Sequence, residues 1–276
     1  MSGEDFSITF PFSIVKEVSD LLTHHGSEVN PTPEVLAKLN EVVKVDIESA
    51  AQGVKATVFL VSHLLNEYVR LSNETQSGLD IKVKSVELPV GAGLGSSAAF
   101  SVALSGALIR FRNLLSVDTN SGCDKPAIKR LKWDHNISES TFVLPADAPF
   151  TVPDESSLSE INKYAFAAEV VIHGTPSGLD NTTSCYGGAL KFSRRAGASF
   201  EKLPSLPPVH ILLTNTRVPR KTSVLVGKVG SLLQSLPSVV KPIFDSIEAI
   251  SMRFLSLIDT NSSQEEFESN MVRQSI

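Results

Sequence analysis

The sequence predicts an α+β fold, and three observations carry that expectation. Strand-like and helix-like segments follow one another without the regular strand–helix–strand spacing of a doubly wound sheet. A strand-like run, Ile81–Leu88, leads directly into a glycine-rich turn and then into an apolar helix. Hydrophobic residues make up 42% of the 276 positions and charged residues 20%, an ordinary globular balance.

Taken in order, Phe6–Phe10 alternates apolar and polar residues and reads as a short strand. Ser13–Leu22 is helical through Ile14, Val15, Val18, Leu21 and Leu22. Pro33 stands where a first helical turn tolerates a residue without an N–H. Val35, Leu36, Leu39, Val42 and Val43 then give that helix one apolar face. Val54–Leu71 reads as one longer apolar helix, Ile81–Leu88 as a strand, and Ser96–Phe111, rich in alanine and leucine, as a helix. From Asn113 to Ser157 periodicity fades and "LPADAPFTVPDESS" accumulates loop-forming residues, so 113–157 is expected to be a mobile surface insertion. Helical spacing returns at Leu158–Ile172 and ends in "HGTPSGLDN". Leu190–Phe192 and Val209–Thr214 read as strands, Val224–Leu257 and Gln264–Ile276 as helices, and there is no internal repeat.

Composition narrows the function. A formal net charge of -5 leaves no basic surplus to neutralise phosphates, which argues against a general nucleic-acid binder. The basic run "KPAIKRLK" (Lys125–Lys132) lies in the insertion and reads as a solvated loop. Cys123 and Cys185 are too few and too far apart for a disulfide framework or a zinc site, which points to a reducing compartment. The start, "MSGEDFSITF", is acidic where a secretory signal would be basic, and no apolar stretch is long enough to span a bilayer. A soluble, cytoplasmic protein without nucleic-acid or membrane partners is the expectation.

The densest signal is "ELPVGAGLGSSAAFSVAL", Glu87–Leu104. A strand, a glycine-rich turn and a helix form the general architecture for binding phosphate. Backbone N–H groups of the first helical turn point at the anion, and the helix dipole adds partial positive charge. Both standard fingerprints fail. No lysine follows Ser96 as a Walker A loop requires, and Ser96 also stands at the third glycine position of G-x-G-x-x-G. A tight turn made for packing therefore stays open beside a phosphate cradle. A second polar segment, "EVVIHGTPSGLDNTTSCYGG" (Glu169–Gly188), adds weight to the cradle. Asp180 is either a helix cap or a catalytic carboxylate, Glu169 either a solvated charge or a metal ligand, and His173 either structural or a base. Together they could supply the metal carboxylate and the proton acceptor that phosphoryl transfer needs.

"PVGAGLGSSAA" (Pro89–Ala99) resembles the P-x-G-x-G-L-G-S-S-A-A signature of the GHMP small-molecule kinases. "IHGTPSGLDN" (Ile172–Asn181) and "LLTNTRVPRKT" (Leu212–Thr222) are similar to segments of the branch that phosphorylates mevalonate. The resemblance implies a ribosomal-S5-like N-terminal lobe over 1–188 and a ferredoxin-like C-terminal lobe over 189–276. It implies ATP-dependent phosphorylation of the primary alcohol of mevalonate, with magnesium, in isoprenoid and sterol precursor biosynthesis. Carried over by position, Pro89, Gly91, Ala92, Gly93, Leu94, Gly95, Ser96, Ser97 and Ala98 bind ATP. Ser97 and Glu169 hold magnesium and Asp180 is the catalytic carboxylate. His173, Gly174, Ser177 and Thr222 lie on the substrate side, with Arg220 near the rim.

Two family segments have no counterpart in the sequence. One is the opening P-G-K-x-x-L-x-G-E-H stretch, which supplies a lysine beside the catalytic aspartate. The other is a late "GAGGGG" run, and no glycine lies beyond Gly230. The expectation is therefore a kinase truncated at both ends, with both lobes incomplete and activity weak or absent. A sheet lacking its first strands exposes an edge, which leaves two outcomes: compensation by oligomerisation, as in a homodimer, or failure to fold. The alternatives are a nucleotide-binding module without turnover and a GHMP kinase acting on another small alcohol.

Overall fold

The computed structural model describes residues 11–24, 29–45, 48–71, 79, 81–83, 85, 93–116, 153–193, 199–203, 212 and 222–259. The chain divides into two compact units, Met1–Glu87 with Gly95–Tyr186 and Leu88–Leu94 with Gly187–Ile276.

The first unit is helical: α1 Phe12–His24, α2 Pro33–Val42, α3 Glu48–Leu64, α4 Asn66–Leu71, α5 Ser96–Ser116, α6 Glu155–His173 and α7 Leu179–Tyr186. Its centre is α3, which packs against α1, α5 and α6. Ala56, Val58, Phe59, Leu60, Val61 and Leu64 of α3 are all buried, so the helix is apolar over most of its circumference. Burying a side chain such as Phe59 or Leu60 stabilises by about 1.5–3 kcal/mol. Among them Ser62 is also buried, and it donates to the Val15 carbonyl of α1 at 2.9 Å.

Caps and ion pairs fix the helices that carry the site. At the start of α2, Thr32 accepts the Val35 N–H and Pro33 occupies the first turn. Asp154 accepts the Ser157 N–H at 2.8 Å and so starts α6. Gly174 ends α6 at φ +79°, its N–H bonded to the Val170 carbonyl at 2.8 Å. Arg112 of α5 grips Glu160 of α6 with two hydrogen bonds, 2.9 and 3.1 Å, holding the two helices in register.

The second unit contains a hairpin and two helices among its described residues. β1 (Leu190–Ser193) pairs antiparallel with β2 (Ser199–Lys202), with Phe192 opposite Phe200 and their rings stacked at 5.1 Å. α8 (Thr222–Ser235) packs on α9 (Pro237–Asp259), and Ile258 is covered by Leu203 and Phe254.

The helices expected from apolar spacing near Ser13–Leu22, Pro33–Val43, Ser96–Phe111 and Leu158–Ile172 are present as α1, α2, α5 and α6. Elsewhere the structure corrects the expectation. The helix placed at Val54–Leu71 begins at Glu48 and divides at Leu65 into α3 and α4, while the i→i−4 bonds of Leu65 and Val69 persist across the break. The helix placed at Val224–Leu257 divides at Leu236, because Pro237 has no N–H to continue α8 and instead opens α9. Asn113–Ser116 belong to α5 and Glu155–Ser157 to α6, so the expected insertion is shorter at both ends; 117–152 lies outside the described residues. The described residues Ile81–Val83 and Ser85 lie in no strand. β2 was not anticipated. Phe6–Phe10, Gln264–Ile276 and all of Val209–Thr214 except Leu212, which is in no strand, lie outside the described residues. The described chain is thus mostly helical with one small sheet. No helix among these residues is long and apolar enough to cross a membrane.

Candidate active site

Four polar side chains converge where the start of α5 meets the end of α6. Ser97 and Ser101 stand one turn apart on α5, and Glu169 and His173 one turn apart on α6; the i, i+4 spacing puts each pair on one helix face. Ser101 Oγ donates to Glu169 Oε1 at 2.9 Å and Ser97 Oγ to Glu169 Oε2 at 3.3 Å. His173 Nε2 lies 3.1 Å from Ser97 Oγ and 3.6 Å from Glu169 Oε2. Ser97 has one proton, and giving it to the carboxylate leaves its oxygen to accept. Nε2 must then be the protonated ring nitrogen, and the chain of donors runs His173 → Ser97 → Glu169.

Glu169 is only 3% exposed. Burial, the largest influence, pushes its carboxyl above the usual glutamate range; the Ser101 bond, His173 and Ser97 pull it back, and the Asp180 carboxylate pushes it up again.

The segment after α6 turns sharply. Gly174 and Gly178 adopt φ +79° and +81°, a region that L side chains rarely enter. Between them Ser177 Oγ accepts the Leu179 N–H at 3.2 Å, a side-chain turn that delivers the backbone into α7. Asp180 lies exposed in the first turn of α7, where the helix dipole favours a carboxylate. It is therefore a first-turn residue rather than a cap.

Residues 56–121, which include most of α3 and all of α5, match the GHMP kinases N terminal domain family. Over 261 residues the chain is 37% identical to mevalonate kinase of Mus musculus, covering 91% of this chain and 58% of that protein.

Residues 56–121 thus resemble the GHMP kinases N terminal domain, and the longer match is to mevalonate kinases.

Similar identity extends to mevalonate kinase of Homo sapiens, 37% over 227 residues, covering 82% of this chain and 50% of that one. For Arabidopsis thaliana mevalonate kinase it is 36% over 174 residues, covering 63% and 38%. The chain spans about half the length of the curated relatives it matches.

The structure brings Ser97, Glu169 and His173 into hydrogen-bond or ion-pair distance. Asp180 is near enough to repel Glu169. In the glycine segment Gly93 and Gly95 have φ +75° and +77°, so a side chain at either would strain the backbone. Leu94 is exposed, Ser96 opens α5, and Ala98 is fully buried. The N–H groups of Ser97 and Ala98 lie in the first turn, which has no intrahelical acceptors for them. Pro89, Gly91, Ala92 and Arg220 lie outside the described residues; Thr222 opens α8, with its side chain also outside them.

Ser101 was missed in the sequence, although it repeats Ser97 at helical spacing. Asn162, Asn181 and Thr182 were missed as well; buried amides and hydroxyls carry no sequence signal until their neighbours are known. The donor set suits magnesium: a carboxylate and a hydroxyl are hard oxygen ligands, and magnesium usually takes few protein ligands and fills the rest with water and phosphate oxygens. Among the described residues no cluster of three or more His, Cys, Asp or Glu side chains forms an all-protein metal cage.

Proposed function

We propose that this chain is a GHMP kinase that transfers the γ-phosphoryl group of ATP to the primary hydroxyl of mevalonate, giving 5-phosphomevalonate for isoprenoid and sterol precursor synthesis. The observation that carries the phosphoryl-transfer chemistry is the buried Glu169 carboxylate held by Ser97 and Ser101 beside Asp180. The substrate comes from the relatives, which are mevalonate kinases matched over up to 91% of the chain.

In this reading the glycine turn and the first-turn N–H groups of α5 receive the ATP phosphates. Ser97 and Glu169 hold magnesium, which neutralises polyphosphate charge when bound. Asp180, exposed at the start of α7, orients the attacking hydroxyl and accepts its proton. His173 fixes Ser97, and Gly174 and Ser177 shape the turn beside the substrate. The lobes of the reading are 1–188, ribosomal-S5-like, and 189–276, ferredoxin-like, the latter including the β1–β2 hairpin. A cytoplasmic setting and a homodimer belong to the same reading.

The test is ADP release by the purified chain with ATP and magnesium. Release should depend on mevalonate and be abolished by Asp180→Asn. Equal or better turnover of homoserine, galactose or phosphomevalonate would overturn the substrate assignment, and unchanged turnover in Asp180→Asn would overturn the role of that residue.

A further inference from the structure

Behind Asp180 lies a buried polar chain that the proposed chemistry does not use. Asn181 is 2% exposed and Thr182 is buried, and both neighbour Asp180 in α7. Thr182 Oγ1 lies 2.6 Å from the Gly178 carbonyl oxygen and 3.3 Å from Asn162 Nδ2 of α6; Asn181 Nδ2 lies 2.7 Å from Asn162 Oδ1. The direction of every bond follows from one fact: a carbonyl oxygen only accepts. Thr182 must spend its proton on Gly178, so it accepts from the Asn162 amide. Asn162 then presents its oxygen to Asn181, which donates. One side chain on α6 thereby holds the two residues that follow Asp180, and Thr182 in turn ties back to Gly178 before it. A second tie, from Cys185 Sγ to the Leu158 carbonyl at 3.3 Å, lies one turn further along α7 and one turn back along α6.

The same helix carries Glu169, seven residues beyond Asn162, or about 10 Å of axial rise. Both carboxylates of the site are therefore referenced to one rigid element. Asp180 has no hydrogen bond of its own among the described residues that would hold its turn in place, so its position depends on Gly178, Asn181 and Thr182.

We infer that Asn162 is a positioning residue for phosphoryl transfer: through Asn181 and Thr182 it sets where Asp180 stands relative to Glu169. The inference rests on the proposed kinase reading. A misplacement of about 1 Å can cost on the order of a hundredfold in rate without touching binding. The effect should therefore appear in kcat and not in KM for ATP.

The test uses Asn162→Asp, which keeps the side chain's volume and its acceptor toward Asn181 but presents an acceptor where Thr182 needs a donor. Expected is a fall in kcat per folded protein of at least about tenfold, with KM for ATP within about twofold. Thr182→Val should reproduce the loss and Thr182→Ser, which keeps the hydroxyl, should restore most of the rate; this pair decides the matter if Asn162→Asp does not fold. An unchanged kcat, or equal losses in Thr182→Val and Thr182→Ser, would overturn the inference. Hydrogen exchange of the purified variants separates this from the kinase reading. If the unmodified chain turns over no mevalonate, that reading fails. Faster exchange confined to 178–183, with α3 still protected, would then still support the positioning role. Uniform or absent change would overturn it.

Discussion

Ser101 donates its hydroxyl to Glu169 Oε1 at 2.9 Å, inside the contact between α5 and α6. A buried carboxylate that loses a donor keeps its desolvation cost and loses part of the compensation. Ser101→Ala is expected to destabilise the fold by about 1.5–3 kcal/mol, the range for a hydrogen bond to a charged group. It should also raise the magnesium concentration for half-maximal activity, because a carboxylate less well supported in its charged form is a poorer ligand. Urea melts and a magnesium titration at fixed ATP measure the two effects.

Glu169 also sets a pH dependence. Burial holds its carboxyl above the usual glutamate range, with the Ser101 and Ser97 hydrogen bonds and His173 opposing the shift only in part. The unfolded chain releases this proton at the ordinary value, roughly pH 4.3, and the folded chain at a higher one. The stability Glu169 contributes is therefore full below the ordinary value and lost as the pH rises through the raised one. Glu169→Gln cannot titrate. In EDTA, the stability of the natural chain relative to that variant should fall as pH is raised from about 4 toward neutrality. A difference that is flat, or that grows with pH, contradicts the assignment.

Ser105 supplies a control on the same helix. It is fully buried one turn beyond Ser101, yet its hydroxyl has no hydrogen-bond partner among the described residues. Removing an unpaired buried hydroxyl relieves a desolvation cost, and alanine is the better helix former. Ser105→Ala should be neutral or stabilising by up to about 1 kcal/mol, opposite in sign to Ser101→Ala. A loss above about 1 kcal/mol in a urea melt would show that the hydroxyl is paired in solution.

Apolar spacing made α1, α2, α5 and α6 legible, because each presents a stripe to the core and that stripe is written at 3.6-residue period. Where a helix is apolar on nearly all sides, as α3 is, period alone does not mark its ends; its start at Glu48 and the break at Leu65 were invisible. The break at Leu236 was signalled by Pro237, and continuous apolar spacing on both sides hid it. β2 has the sequence "SFEK", too short and charged to read as a strand; the pairing of Phe200 with Phe192 creates it. At the site, Ser97, Glu169 and His173 came from motif resemblance, whereas their joining through Ser97 and the support from Ser101 and Asn162 depend on how α5, α6 and α7 pack.

Gly174 and Gly227 make the last prediction, because the same substitution should act in opposite directions. An added Cβ would meet no atom within 4 Å at either position, so packing does not decide the outcome. Gly174 has φ +79° at the end of α6, where alanine must hold a conformation that costs about 1–3 kcal/mol. Gly227 lies in the interior of α8 without a positive φ, where alanine loses less chain entropy on folding and gains about 0.5–1 kcal/mol. Gly174→Ala should therefore lower the urea midpoint and Gly227→Ala raise it. Gly174 directly follows His173, so relaxing its strain also moves the imidazole that bonds Ser97. Only Gly174→Ala should reduce turnover per folded molecule; equal effects of the two variants on activity would sever the link between this turn and the site.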